Sequence, residues 1–210
     1  MLNGSDWARE VCVEDAVALA NAVDGRSVTL ASGSPRRREL IRACGVRIRI
    51  IRSGIDEPEP LVSHPRAWAR RWALRKALSV VDIVDTDLIW AADTIVVQGG
   101  RGMGKPADTQ EAVAMLRRLS GTTHQVITGV AVTGRGGRRY TTGSAVSHVR
   151  FRRLSRADID RYVATGEPFD KAGAYGIQGQ AGAFVAAVDG PVDNVIGLPL
   201  RRLAQLTRRI

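Results

Sequence analysis

The segment Leu88-Ile89-Trp90-Ala91-Ala92-Asp93-Thr94-Ile95-Val96-Val97 constrains this chain more than any other. It is β-rich and apolar at positions of both parities, so a strand built from it needs cover on both faces and belongs in the middle of a sheet. The stretch is too short, and too interrupted by Asp93, for the ~20 apolar residues that a membrane-spanning helix requires. A soluble protein is expected. Gln98-Gly99-Gly100-Arg101-Gly102 follows as a turn that sends the chain back.

Elements of both kinds surround this strand. Val28 to Ala31 reads as a short buried strand, and Ser34-Pro35 as the N-cap and first position of a helix that runs to about Cys44 and ends at Gly45. Ile48 to Ile51, with alternating arginines, reads as an edge strand. The turn-rich Ser53 to Pro58 loop after it carries two carboxylates, Asp56 and Glu57. Ser63 to about Val81 is expected as a helix with an apolar face through Ala67, Trp68, Trp72, Leu74 and Leu78. Asp108 with Glu111, and Ser155 with Asp158, mark two further helix starts, the helices ending at Gly121 and Gly166. His124 to Thr133 and Arg139 to Arg150 alternate as strands around a glycine-rich turn. A glycine-rich run, Gly173 to Gly182, precedes a strand at Ala183 to Val188, and a last helix begins near Pro199. The mixture predicts an α/β protein with a mixed β-sheet flanked by helices. Residues 1–26 read as an accessory extension with a short helix, Val11 to Val23, and 27–210 as one domain. The extension lacks a basic start followed by an apolar core, so it does not read as a secretion signal. Two cysteines, Cys12 and Cys44, make no disulfide framework, and a reducing cytoplasm is the expected location.

Charge narrows the function. The chain of 210 residues carries 31 basic against 21 acidic residues, a formal +10, which favours anionic partners. Lysine supplies three of the 31, at 76, 105 and 171, and arginine the other 28. In a chain that uses arginine by default, three lysines point to sites that want a compact ammonium. Arg36, Arg37 and Arg38 stand in the first turn of the helix capped by Ser34, where the helix dipole favours acids. An anion at the helix entrance, held by backbone N–H groups and arginine forks, makes the arrangement favourable. The alternative is a solvated basic face with Glu39 as local partner. Ser32 and Ser34 add hydroxyls around Gly33.

Asp93 needs a reason to interrupt an apolar strand, because a buried carboxylate is costly unless bonded, paired or bound to metal. It reads as a metal ligand or a proton acceptor for water, the alternative being a strand-end residue that bonds a neighbouring turn. Glu57 is the natural second carboxylate. No glycine-rich loop ends in Gly-Lys-Ser/Thr before a helix, which excludes a P-loop nucleotidase. His64, His124 and His148 have no ligand-like spacing, and the four tryptophans read as packing residues.

Several segments then match one family in order. Leu30 to Leu40, Ser53 to Glu57, Ala91-Ala92-Asp93-Thr94, Gly104-Lys105-Pro106, Leu119-Ser120-Gly121 with His124, Thr165 to Pro168, Asp170 to Gly179, and Asn194 to Leu200 resemble the Maf family of nucleotide pyrophosphatases. The resemblance runs from about Val28 to the C-terminus. It implies two lobes around a central cleft, a fold related to the inosine triphosphate pyrophosphatases, and a cytoplasmic homodimer. It also implies hydrolysis of nucleoside triphosphates to the monophosphate and pyrophosphate with a divalent cation, Mg or Mn, as a housekeeping activity. Carried onto this chain, Asp93 is the proton acceptor and a metal contact, and Glu57 assists the metal. Ser32, Ser34, Arg37, Lys76 and Lys105 bind phosphates, and Lys171 lies at the cleft rim. Arg36, Thr94 and Gln178 resemble the subgroup acting on dTTP and UTP. The alternatives are a pyrophosphatase for modified nucleotides, and a nucleotide-sensing or nucleic-acid-binding regulator linked to septum formation. Nucleic acid is not the expected partner, since no aromatic-interleaved basic stretch supports it.

Overall fold

A computed structural model describes residues 12–56, 58 and 63–210. Its centre is the strand β3, Leu88–Gln98, buried at every position except the half-buried Thr94 and Gln98. Two parallel neighbours stand on one side, β1 (Val28–Ala31) and, outside it at the sheet edge, β2 (Arg49–Ile51). On the other side run the antiparallel strands β5 (Thr123–Gly134), β6 (Tyr140–Phe151) and β7 (Val185–Asp189). The order is β2-β1-β3-β5-β6-β7, with β4 (Arg101–Met103) folded back on the far end of β3. The sheet is mixed and seven-stranded, with the doubly apolar segment at its centre.

Helices cover both faces. On one face lies α3, Pro65–Leu78, over Ala31, Ile89, Ala91, Ile95 and Ile127. The buried stripe of α3 is Trp68, Ala69, Trp72, Ala73, Lys76 and Ala77, whereas Ala67 and Leu78 of the expected apolar face are exposed. The correction has a physical cause: Lys76 occupies a position an apolar residue would hold, so the apolar pattern is broken where burial is not. Small residues at 69, 73 and 77 let the helix approach closely. Gly129 of β5 completes the fit, since a Cβ there would stand 2.2 Å from the backbone carbon of Ala69.

The opposite face carries two separate cores. One gathers α1 (Val13–Val23), α2 (Pro35–Ala43), α6 (Val192–Ile196) and α7 (Leu200–Thr207) over Leu30, Trp90 and Val132. The other gathers α4 (Thr109–Leu119) and α5 (Arg156–Ala164) over Val96, Val126 and Phe151. They make two lobes, and the cleft between them opens where β3 passes from Ala92 to Val96. The α1 helix packs on α7 and buries Leu19, Ala22 and Val23. Residues 1–11 of the expected extension lie outside the described residues.

Local chemistry sets the helix ends. Ser155 Oγ accepts from Asp158 N while Asp158 Oδ2 accepts from Ser155 N, a reciprocal capping box. Asp108 Oδ1 accepts from Glu111 N at 2.8 Å, and Glu111 reaches back to Ala107 N. The last strand starts at Val185, two residues later than the sequence suggests, because Gln180–Phe184 forms a 3-10 turn. Among the described residues, no helix is long and apolar enough to cross a membrane.

Candidate active site

The cleft is a cavity of about 650 Å3 whose walls come from both lobes and from α3. Ser32, Ser34, Arg36 and Arg37 line it from the loop after β1 and the start of α2; Asp93 and Thr94 line it from β3. Lys76 reaches in from α3, Lys105 from the loop after β4, and Lys171 and Gln178 from the turns before β7. Every candidate within the described residues therefore meets at one place, although the chain separates them widely. Glu57 lies outside the described residues.

Successive strand residues point to opposite faces, and the cleft uses both. Asp93 faces α3, is 2% exposed, and accepts a hydrogen bond from Lys76 Nζ at 2.6 Å. Lys76 is 7% exposed, so the pair is buried as a unit. Asp93 stands opposite Gly129 in the β3–β5 ladder. The missing side chain at 129 is what lets α3 come close enough to deliver Lys76.

Thr94 faces the other way, towards α2. Arg37, also buried, donates from Nη2 to Thr94 Oγ1 at 3.0 Å, from Nη1 to Ser32 Oγ at 3.2 Å, and from Nε to Gly197 O at 2.7 Å. Thr94 Oγ1 continues to Thr128 Oγ1, whose hydroxyl donates to Asn194 O. Asn194 Nδ2 in turn donates to Val126 O and Ser147 Oγ. The chain of bonds ties the loop after β1 to β3, β5, β6 and α6. Gly197 adopts φ +111°, and a Cβ there would meet Thr94 Oγ1 at 3.1 Å, so this turn requires glycine on both counts.

The entrance to α2 carries Arg36, Arg37 and Arg38. Ser34 is the N-cap residue, but its hydroxyl makes no cap bond; its backbone N donates to Ser32 Oγ. The first turn of α2 holds no acid. Arg36 pairs with Asp170 across the cleft at 3.0 Å, and Lys171 pairs with the same carboxylate at 2.6 Å. Burial opposes ionisation of Asp170, but the Lys171 hydrogen bond and the Arg36 charge outweigh it and hold its pKa below the usual value. Lys105 is exposed at the rim. Gln178 lines the cavity, while its Oε1 is buried without a hydrogen-bond partner among the described residues.

Three further residues line the wall, of which the sequence pointed only to Asp56, as a loop carboxylate without a role. Arg52, directly after β2, lines the cavity. Tyr175 lines it too, its hydroxyl 2.7 Å from His124 Nε2. Asp56, from the Ser53 to Pro58 loop, adds a third carboxylate to Asp93 and Asp170. His124 has no chemistry in the cavity: burial lowers its pKa to about 4, which keeps the ring neutral, and it packs edge-on against Phe151 and Tyr175. Trp72 and Trp90 are buried in the packing, and Trp68, buried as well, also lines the cavity. Among the described residues, no three potential ligands of the His, Cys, Asp or Glu type cluster as a ready-made metal cage.

Comparison with known proteins places this geometry in a family. The model of the family described as Maf-like protein matches residues 27–210. A dTTP/UTP pyrophosphatase of Pelotomaculum thermopropionicum is 45% identical over 184 residues, which cover 88% of this chain and 96% of that protein. One from an Anaeromyxobacter species is 49% identical over 189 residues, 87% of this chain and 88% of the relative. One from Hahella chejuensis is 47% identical, with 83% and 88% covered.

Proposed function

The chain belongs to the Maf-like protein family, and from that premise we propose that it hydrolyses nucleoside triphosphates, dTTP and UTP foremost, to the monophosphate and pyrophosphate. The observation that carries the reading is the buried Asp93–Lys76 pair at the wall of a cavity rich in Arg and Lys. Three of the relatives described above are named for that reaction.

In this reading Asp93 accepts a proton from water as the water oxygen bonds to one phosphorus. The α–β bond breaks, and its bridging oxygen leaves with the other phosphoryl group. Lys76, 2.6 Å from Oδ1, fixes the direction of the carboxylate. The N–H groups of α2 and the side chains of Ser32, Ser34, Arg36, Lys105 and Lys171 take the charge that develops on the phosphates. Arg37 acts from behind, holding Ser32 and Thr94 in register. Gln178, a cavity-lining amide with both a donor and an acceptor, reads the edge of the base, and Arg36 and Thr94 complete the preference for thymine and uracil.

The donor set suits a small hard cation that takes one or two carboxylates and fills its shell with water and phosphate oxygens. Asp93 and Asp56 line the cavity, and Glu57 follows Asp56 in the chain. Bound there, Mg or Mn would neutralise phosphate charge and lower the pKa of water. A cytoplasmic homodimer, as the resemblance implies, completes the proposal.

The test is a panel of dTTP, UTP, CTP, GTP and 7-methyl-GTP with magnesium or manganese, read as pyrophosphate and monophosphate release. Selective turnover of dTTP and UTP is expected. Release of inorganic phosphate in place of pyrophosphate, or no turnover of any substrate, overturns the proposal.

A further inference from the structure

Arg52 has the position of a binding residue without an assigned task. It follows directly after the edge strand β2, is exposed, and lines the same cavity as Ser32 and Asp93. Among the described residues no carboxylate pairs with it. Its stem lies across Gly33, the middle residue of the loop that enters α2. A Cβ on Gly33 would stand 3.3 Å from Cγ and Nε and 3.4 Å from Cδ of Arg52. Gly33 has an ordinary φ, so its lack of a side chain serves this close approach and not a special backbone conformation. The segment is anchored as well: Ser79 Oγ, just past the end of α3 and one turn from Lys76, donates to Ser53 O at 2.9 Å.

The cavity thus has an order. Arg36 stands on the side of Asp170, Asp93 with Lys76 marks the reacting centre, and Arg52 flanks the Ser32–Ser34 loop on the side of β2. Building on the hydrolase reading, we propose that Arg52 is a further substrate-binding residue of this chain, which takes the outer phosphates of the triphosphate and then the pyrophosphate product. A planar guanidinium laid over the loop offers two parallel N–H donors to phosphate oxygens, a geometry lysine cannot reproduce. The glycine beneath it keeps the fork low enough to share an anion with the α2 N–H groups.

Arg52→Ala, Arg52→Lys, Gly33→Ala and the Gly33→Ala/Arg52→Ala double variant test this by steady-state kinetics on dTTP with pyrophosphate and dTMP as product inhibitors. For Arg52→Ala, KM for dTTP and the inhibition constant of pyrophosphate rise roughly tenfold, and that of dTMP stays within about twofold. Arg52→Lys recovers part of the loss. Gly33→Ala weakens pyrophosphate several-fold when Arg52 is present and adds nothing to Arg52→Ala. Unchanged pyrophosphate inhibition in an active Arg52→Ala variant overturns the assignment. So does equal weakening of dTMP, which a merely structural residue would produce. A wild type that hydrolyses no triphosphate overturns the hydrolase reading instead. Calorimetric titration with pyrophosphate then still decides whether Arg52 holds that anion.

Discussion

Replacing Gly129 with alanine adds one methyl group and should disable the site from behind. The new Cβ would stand 2.2, 2.3 and 2.4 Å from Ala69 C, Ala69 O and Arg70 N, all backbone atoms of α3 that no rotamer change can move. Ordinary contact begins at 3.4 Å, so the helix must retreat by about 1 Å. Overpacking of this kind costs about 1–3 kcal/mol, and backbone neighbours put it near the upper end. In a protein of this size that lowers Tm by roughly 10 °C. The same retreat draws Lys76, two turns along the same face of α3, away from Asp93. A misplacement of about 1 Å in a catalytic centre can lower the rate about a hundredfold. Thermal unfolding followed by circular dichroism and pyrophosphate release from dTTP measure the two effects. A variant that melts within about 2 °C of wild type with kcat within about twofold would refute the argument that Gly129 sets the distance between α3 and β3.

Three further outcomes follow from the same structure. His124 is neutral in both states above its unfolded pKa of 6.5; between there and its folded value of about 4 only the unfolded chain takes up the proton. Stability should fall by up to about 3 kcal/mol over that window and level off below it, and His124→Leu should make the slope of urea-unfolding free energy against pH shallower by about one proton. Leu19, fully buried on α1, should cost about 2–5 kcal/mol as Leu19→Ala in denaturant titrations, if the helix before β1 is an integral part of the core. Gln178→Leu, which keeps the bulk of this cavity-lining residue but loses its amide, should lower kcat/KM for dTTP by roughly tenfold with little change in Tm.

Much of the fold is legible because local chemistry and burial agree. The doubly apolar segment at 88–97 becomes the central strand, the alternating arginines of 48–51 become an edge strand, and Ser155 with Asp158 builds its capping box. The face of α3 misleads because one of its buried positions is a lysine whose partner, Asp93, is 17 positions along the chain. The short helix α6 escapes notice, as five residues between Pro191 and Gly197 give too little periodicity to read. In the site, residue types that advertise charge are easy to nominate, and those nominated within the described residues meet in one cavity. What holds them there is harder to see. Thr94, Thr128 and Asn194 form a relay with separations of 34 and 66 positions, and Gly129 and Gly33 act by the atoms they lack. Arg52 follows the expected edge strand in the sequence as one more arginine, and only the fold lays it over Gly33.

The central claim is that Asp93, held by Lys76, takes the proton from water at the α–β bond of a pyrimidine triphosphate. Pyrophosphate release from dTTP and UTP by Asp93→Asn, whose side chain keeps the shape of the carboxylate but is a poor proton acceptor, tests it most directly, with dTTP binding measured alongside. The account predicts a kcat lower by about 100-fold or more with binding retained. An Asp93→Asn variant that releases pyrophosphate at a rate near that of wild type would contradict it.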